Sequence, residues 1–259
     1  MTMSISPRTR GIEAAPSSAL GPIPFPRLVR VEWAKATDTR AARWLLALVA
    51  LSTVAMMLGP ILAPTRFDQT YASYLEVAAV ALAILLPVVA ILLLTSEWSQ
   101  RTAYTTFTQE PRRIRVVNAK LAASLVLGGA GALFGGVLTA CGLGLASASG
   151  RALEANLTVG AIAGYLLFVL LNILAGVALG ALLQSSATAI AASFALPAAF
   201  ALLGAASTLV SDWIDMSTWH WLLENGSAGH VPQISVSVLF WVAVPLAAGV
   251  VRTIRRDVT

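Results

Sequence analysis

Residues 74–120 read YLEVAAVALAILLPVVAILLLT followed by SEWSQRTAYTTFTQEPRRIRVVNAK. Residues 74–95 hold a single charged side chain, Glu76, near one end. As an α-helix, an apolar run of about 20 residues matches the ~30 Å hydrocarbon core of a bilayer. A membrane β-barrel would instead show alternating segments of about 10 residues. At Ser96 the chain turns polar and then basic, with Arg101, Arg112, Arg113, Arg115 and Lys120. One junction therefore contains both a membrane span and a long charged connection.

The apolar run repeats along the chain. Six blocks lie at about 44–63, 74–95, 121–146, 159–183, 187–210 and 234–251. Overall, 58% of the residues are hydrophobic and 11% charged, against about 25% charged in a soluble domain. The expected fold is an all-α integral membrane protein with six transmembrane helices. Cys141 is the one cysteine, so no disulfide forms within the chain and the redox compartment cannot be read. Asn156, Leu157 and Thr158 fit a glycosylation triplet that is common by chance. The formal charge is +5, but the basic residues lie between apolar blocks, which points to a membrane and not to nucleic acid.

The distribution of Lys and Arg gives the orientation. The N-terminal segment, the 96–120 connection and the C-terminal tail together hold 15 of the 17 basic residues. The other side holds Arg66 and Arg151. The positive-inside rule places the basic side, with both termini, in the cytoplasm. Residues 1–25 contain Arg8 and Arg10 but no continuous apolar core, so they are expected to form a flexible cytoplasmic tail and not a signal peptide. Residues 26–251 form the six-helix domain, and 252–259 a second cytoplasmic tail. The protein is expected in the cell membrane.

Small residues mark candidate helix contacts at Gly131-x-x-x-Gly135, Gly160-x-x-x-Gly164 and Gly176-x-x-x-Gly180. Such faces let backbones approach closely, within one chain or between two. Pro87 and Pro197 fall inside the second and fifth blocks and should kink them. Asn172 is the one strongly polar residue near the centre of a block and is expected to hydrogen-bond to another helix.

Residues 26–43, PRLVRVEWAKATDTRAAR, mix apolar and basic side chains. They suggest an interfacial helix, with Trp33 dipping into the boundary and Arg27, Arg30 and Lys35 on anionic head groups. In residues 96–120, a helix-compatible stretch runs from Arg101 to Gln109 and stops before Pro111. Connections between helices usually take 2–8 residues, so this length implies a task beyond linking two spans.

The whole layout resembles the permease subunits of ABC-2 type transporters. Glu97, Thr102, Thr105, Thr106, Pro111, Arg112, Arg113 and Lys120 match the loose pattern those permeases show between their second and third spans. Arg101 departs from it, since the family usually has Gly there. The resemblance implies that this segment, with Trp98 at its start, is a cytoplasmic coupling helix docking on a separate ABC ATPase subunit. It also implies a second permease copy, or a similar permease, as partner in the bilayer. ATP and Mg would be bound by the ATPase, with no cofactor in this chain.

No G-x-x-x-x-G-K-[ST] is present, so this chain has no phosphate cradle of its own. It is read as a transport subunit and not an enzyme. The blocks hold no paired carboxylates and no histidine, unlike most ion-coupled carriers. A hydrophobic or amphipathic exported cargo follows from the apolar blocks. The alternatives are a non-ATP-driven carrier and a membrane scaffold without transport. In the 211–233 loop, Trp213, Trp219 and Trp221 are expected to anchor an amphipathic outer segment. His220 and Glu224 would share a helix face there, but the loop lacks a metal-ligand spacing signature.

Overall fold

A chain segment in hydrocarbon must bond its own N–H and C=O groups, so each apolar block becomes a helix. The computed structural model describes residues 23–99, 112–225 and 229–255. Among these, six helices are long and apolar enough to cross a bilayer. They are α2 (Arg40–Leu62), α3 (Tyr71–Ser99), α4 (Arg113–Ala148), α5 (Val159–Leu183), α6 (Ser186–Gly204) and α9 (Val231–Arg255). A shorter helix, α1 (Phe25–Asp38), precedes them. Between α6 and α9 lie α7 (Thr208–Trp213), a 3₁₀ turn (Met216–His220) and α8 (Trp221–Asn225). The chain is a multi-pass, all-α membrane protein.

Local chemistry sets the helix ends. The Thr39 hydroxyl accepts from the Ala42 N–H at the start of α2, and Thr158 does the same for Ala161 in α5. At the end of α2, Arg151 donates to the carbonyls of Pro60 (3.1 Å) and Ile61 (2.6 Å). This satisfies acceptors that a helix terminus leaves open. Asn156 caps α3, its Oδ1 accepting from Ala72 N at 2.9 Å.

The fifth apolar block is not one helix. α6 stops at Gly204, and α7 begins at Thr208. A Cβ on Gly204 would lie 3.3 Å from the Ser211 Cα, so glycine lets the chain fold back there. The sixth block contains a proline the sequence patterning passed over. Pro245 cannot donate to a carbonyl one turn back, and a π-helical turn, Leu239–Ala243, sits just before it. At the basic end the helices outrun their blocks. With 36 residues, α4 is about 54 Å long at 1.5 Å per residue. Its first turns therefore extend beyond a ~30 Å core.

α3 and α5 are the centre. Buried residues make up 61% of the most apolar window in each, against 6% in α6. Most of the small-residue faces pack within the chain. Gly176 lies against the backbone of Pro87, Gly180 against Ile91 and Leu94, and Gly164 against the backbone of Leu222. Gly131 meets Leu86, and Gly135 meets Leu82 and the Tyr165 hydroxyl, which donates to the Ala132 carbonyl at 2.6 Å. Gly160 faces only Thr158 of its own cap. Among the described residues Asn172 bonds within its own helix and not across to another: its Nδ2 donates to the Phe168 carbonyl at 2.9 Å.

Gly176→Ala should force α3 and α5 apart, costing about 1–3 kcal/mol. Gly129→Ala and Gly136→Ala, which meet no atom within 4 Å, should be neutral or slightly stabilising. Thermal unfolding of the three variants in one detergent checks this.

Candidate functional site

α1 is an amphipathic helix, and its inner face carries a charge. Val29, Glu32 and Ala36 face the bundle, and Glu32 is 4% exposed. Arg27 and Arg30 are exposed, as a surface face requires, and Trp33 packs against the main core. Lys35, expected on head groups, instead turns inward. Its Nζ donates to Glu32 Oε1 at 2.7 Å and to Glu97 Oε1 at 3.1 Å.

Those two glutamates meet a second lysine. Lys120 Nζ lies 2.7 Å from Glu32 Oε2 and 2.9 Å from Glu97 Oε1. It also donates to the Leu93 carbonyl at 2.9 Å and to Ser96 Oγ at 3.3 Å. The result is a neutral quartet joining three elements: Glu32 and Lys35 on α1, Glu97 near the end of α3, and Lys120 on α4. Lys120 and Glu97 are each 3% exposed. Burying a charge costs several kcal/mol unless partners and further hydrogen bonds compensate. Here every ammonium meets two carboxylates, and Lys120 fills its remaining donor capacity with α3 oxygens.

Glu97 and Lys120 stand on either side of the long connection, so the quartet pins both of its stems together. Arg101, Thr102, Thr105, Thr106 and Pro111 lie outside the described residues. Trp98 is half-buried and lines a small gap with Val116, Val117 and Lys120. Arg112 is exposed. Arg113, grouped from the sequence with the connection, donates to the carbonyls of Thr253 (3.0 Å) and Ile254 (3.3 Å) and so holds the end of α9. Arg252 likewise donates to Leu182 near the end of α5, at 2.7 Å. Cations at helix C-termini complement the helix dipole. Two of the basic residues counted for orientation therefore also bind helix ends together.

Toward the opposite end, α3, α5 and α6 enclose a partly open cavity of about 420 Å³. Its walls include Ile84, Phe168, Phe194 and Trp241, and the 215–220 segment closes over it. That segment is held in place by α9, at its π-turn and just before it. Trp241 Nε1 donates to the Ile214 carbonyl at 2.6 Å, and Ser237 Oγ to the Asp215 carbonyl at 3.2 Å. Asn172, Asp215 and His220 line the cavity, with the His220 ring edge-on to Phe168 at 5.2 Å.

The three loop tryptophans do not act alike. Trp213 is exposed. Trp219, expected as an interfacial anchor, is fully buried in the core, because the 3₁₀ turn points it inward. Trp221 is half-buried and stacks on His230 at 3.9 Å. Sequence reasoning missed Glu32 as a site residue. Its signal was an acid three residues before Lys35 on an otherwise apolar helix face. Comparison of the sequence with protein-family models gives no match, and comparison with curated proteins gives no significant match.

Removing Lys120 leaves two buried carboxylates short of a partner. Lys120→Met should cost about 3–5 kcal/mol, whereas Lys35→Met, at a half-exposed ammonium, should cost about 1 kcal/mol or less. Adding Glu32→Gln to Lys120→Met should cost less than the two singles summed. Thermal unfolding of the four proteins measures this.

Burial alone would lower the Lys35 pKa, but the Glu97 and Glu32 carboxylates outweigh it and hold it above 10.5. A raised lysine pKa contributes stability that is complete below the unfolded value and is lost as pH rises through the folded one. The hold on α1 through Lys35 should thus be constant from neutral pH to 10.5 and weaken only above it. A fluorescent label at Thr39, read against pH, reports the loosening.

Proposed function

We propose that this chain is the membrane-spanning permease subunit of an ABC-2 type exporter. The observation that carries the proposal is the pinned connection. A bundle without a phosphate-binding motif needs a motor elsewhere, and force from a soluble motor must enter through a rigid element joined to the spans. The 100–112 connection has both stems tied by the Glu32–Lys35–Glu97–Lys120 quartet. A push on it would move α1, α3 and α4 together.

In this reading the basic end faces the cytoplasm with both termini, and the protein sits in the cell membrane. The 15-to-2 split of basic residues supports that orientation. An ABC ATPase subunit docks on the connection and holds ATP and Mg. A second copy of this chain, or a similar permease, completes the pathway. Cargo moves outward by alternating access, and the apolar cavity suits a hydrophobic or amphipathic molecule.

The test is purification of the tagged chain from its host in mild detergent. A Walker-motif ATPase should accompany it and be lost when residues 103–109 are scrambled. Absence of any ATPase from the native preparation, or its retention by the scrambled variant, would overturn the proposal.

A further inference from the structure

The cavity between α3, α5 and α6 carries several acceptors in its wall, beside the donors of Ser217 and His220. Asp215 lines it and is 6% exposed. Its Oδ1 accepts from the Ser217 N–H at 2.9 Å, while its second oxygen has no partner among the described residues. Among the described residues no Lys or Arg lines the cavity, and His220, which does, packs edge-on against Phe168 and forms no ion pair with Asp215. The two helix prolines add to this. Pro87 and Pro197 lack the N–H that would bond the carbonyls of Ala83 and Ser193, and all four residues line the cavity. Asn172 Nδ2 donates to the Phe168 carbonyl, and its side-chain oxygen has no hydrogen-bond donor among the described residues. Around these acceptors stand the rings of Phe168, Phe194 and Trp241.

A buried carboxylate without a cation is costly. Aromatic faces attract a cation that has shed its water. A cavity of this size falls within the range that holds drug-sized ligands. We infer that the cavity is a binding site for a lipophilic organic monocation, such as a substituted ammonium on an apolar body. Its charge rests against Asp215 and its hydrocarbon lies among the aromatic walls. As a cargo site the cavity rests on the exporter reading; as a binding site it stands without it.

The Asp215 carboxylate also caps the 3₁₀ turn, so the test must separate charge from capping. Asp215→Asn keeps an oxygen for the Ser217 N–H and removes only the charge. The probes are radiolabelled 4-phenylbutyl-trimethylammonium and its neutral isostere, in which a tert-butyl carbon replaces the nitrogen. Both are measured on the full chain in phosphatidylcholine nanodiscs, against empty discs.

The cation should bind saturably to the native chain, and Asp215→Asn should weaken it by about thirtyfold or more. The isostere should bind more weakly and be indifferent to that change. Ala198→Phe, which fills the cavity from α6 and leaves the carboxylate in place, should abolish saturable binding. This second variant serves if Asp215→Asn does not fold. Equal binding of cation and isostere, no effect of either variant, or no saturable binding would overturn the site. Because no ATPase takes part in the measurement, its failure with a copurifying ATPase removes this inference alone. Binding without an ATPase partner removes the exporter reading alone.

Discussion

Two helix backbones touch where Gly176 of α5 meets Pro87 of α3. The rest of the bundle depends on that contact. In lipid, helices gain little from hiding apolar surface, because the solvent is as apolar as they are. Close packing of small residues supplies the attraction instead. Gly176 and Gly180 bring α5 against α3, and Gly131 and Gly135 on α4 take up the other side of α3. Once these axes are fixed, α6 and the 215–220 segment close over one side of the α3–α5 pair and leave the cavity. The same Pro87 that forms the contact also lines the cavity.

The charged quartet solves a different problem. Beyond the apolar core, helix ends have no hydrocarbon to confine them, and α4 runs well past it. Charges whose partners come from three helices specify one arrangement of those helices. A single apolar contact would not, since apolar surfaces slide. Arg113 on the α9 carbonyls, Arg252 on the α5 carbonyl of Leu182 and Gln184 on Thr253 tie the remaining ends by the same logic. The basic end is thus a polar frame around an apolar bundle.

The six spans were legible because hydropathy acts residue by residue over a length the bilayer sets. Helix ends were less so. Gly204 sits in a continuous apolar block, and nothing local marks it as the fold-back point. The π-turn needed Pro245 to be weighed together with Trp241, whose indole reaches a segment far along the chain. The quartet was half legible. Glu97 and Lys120 stood out at the ends of their spans, but Glu32 resembled an ordinary surface residue of a basic helix. Its partner Lys120 is distant in sequence, and patterning sees only near neighbours. Trp219 failed for the same reason: a tryptophan near an interface looks alike whether it faces lipid or core.

The quartet contains two carboxylates and two ammonium groups, so its sum is zero. The bilayer field does work only on net charge displaced along it, about 2.3 kcal/mol per elementary charge per 100 mV. The quartet itself therefore adds no gating charge to a motion that tips α1 and the stems of α3 and α4 as one body. The field acts on such a stroke through the arginines outside the quartet, Arg27 and Arg30 on α1 and Arg113 and Arg115 on α4.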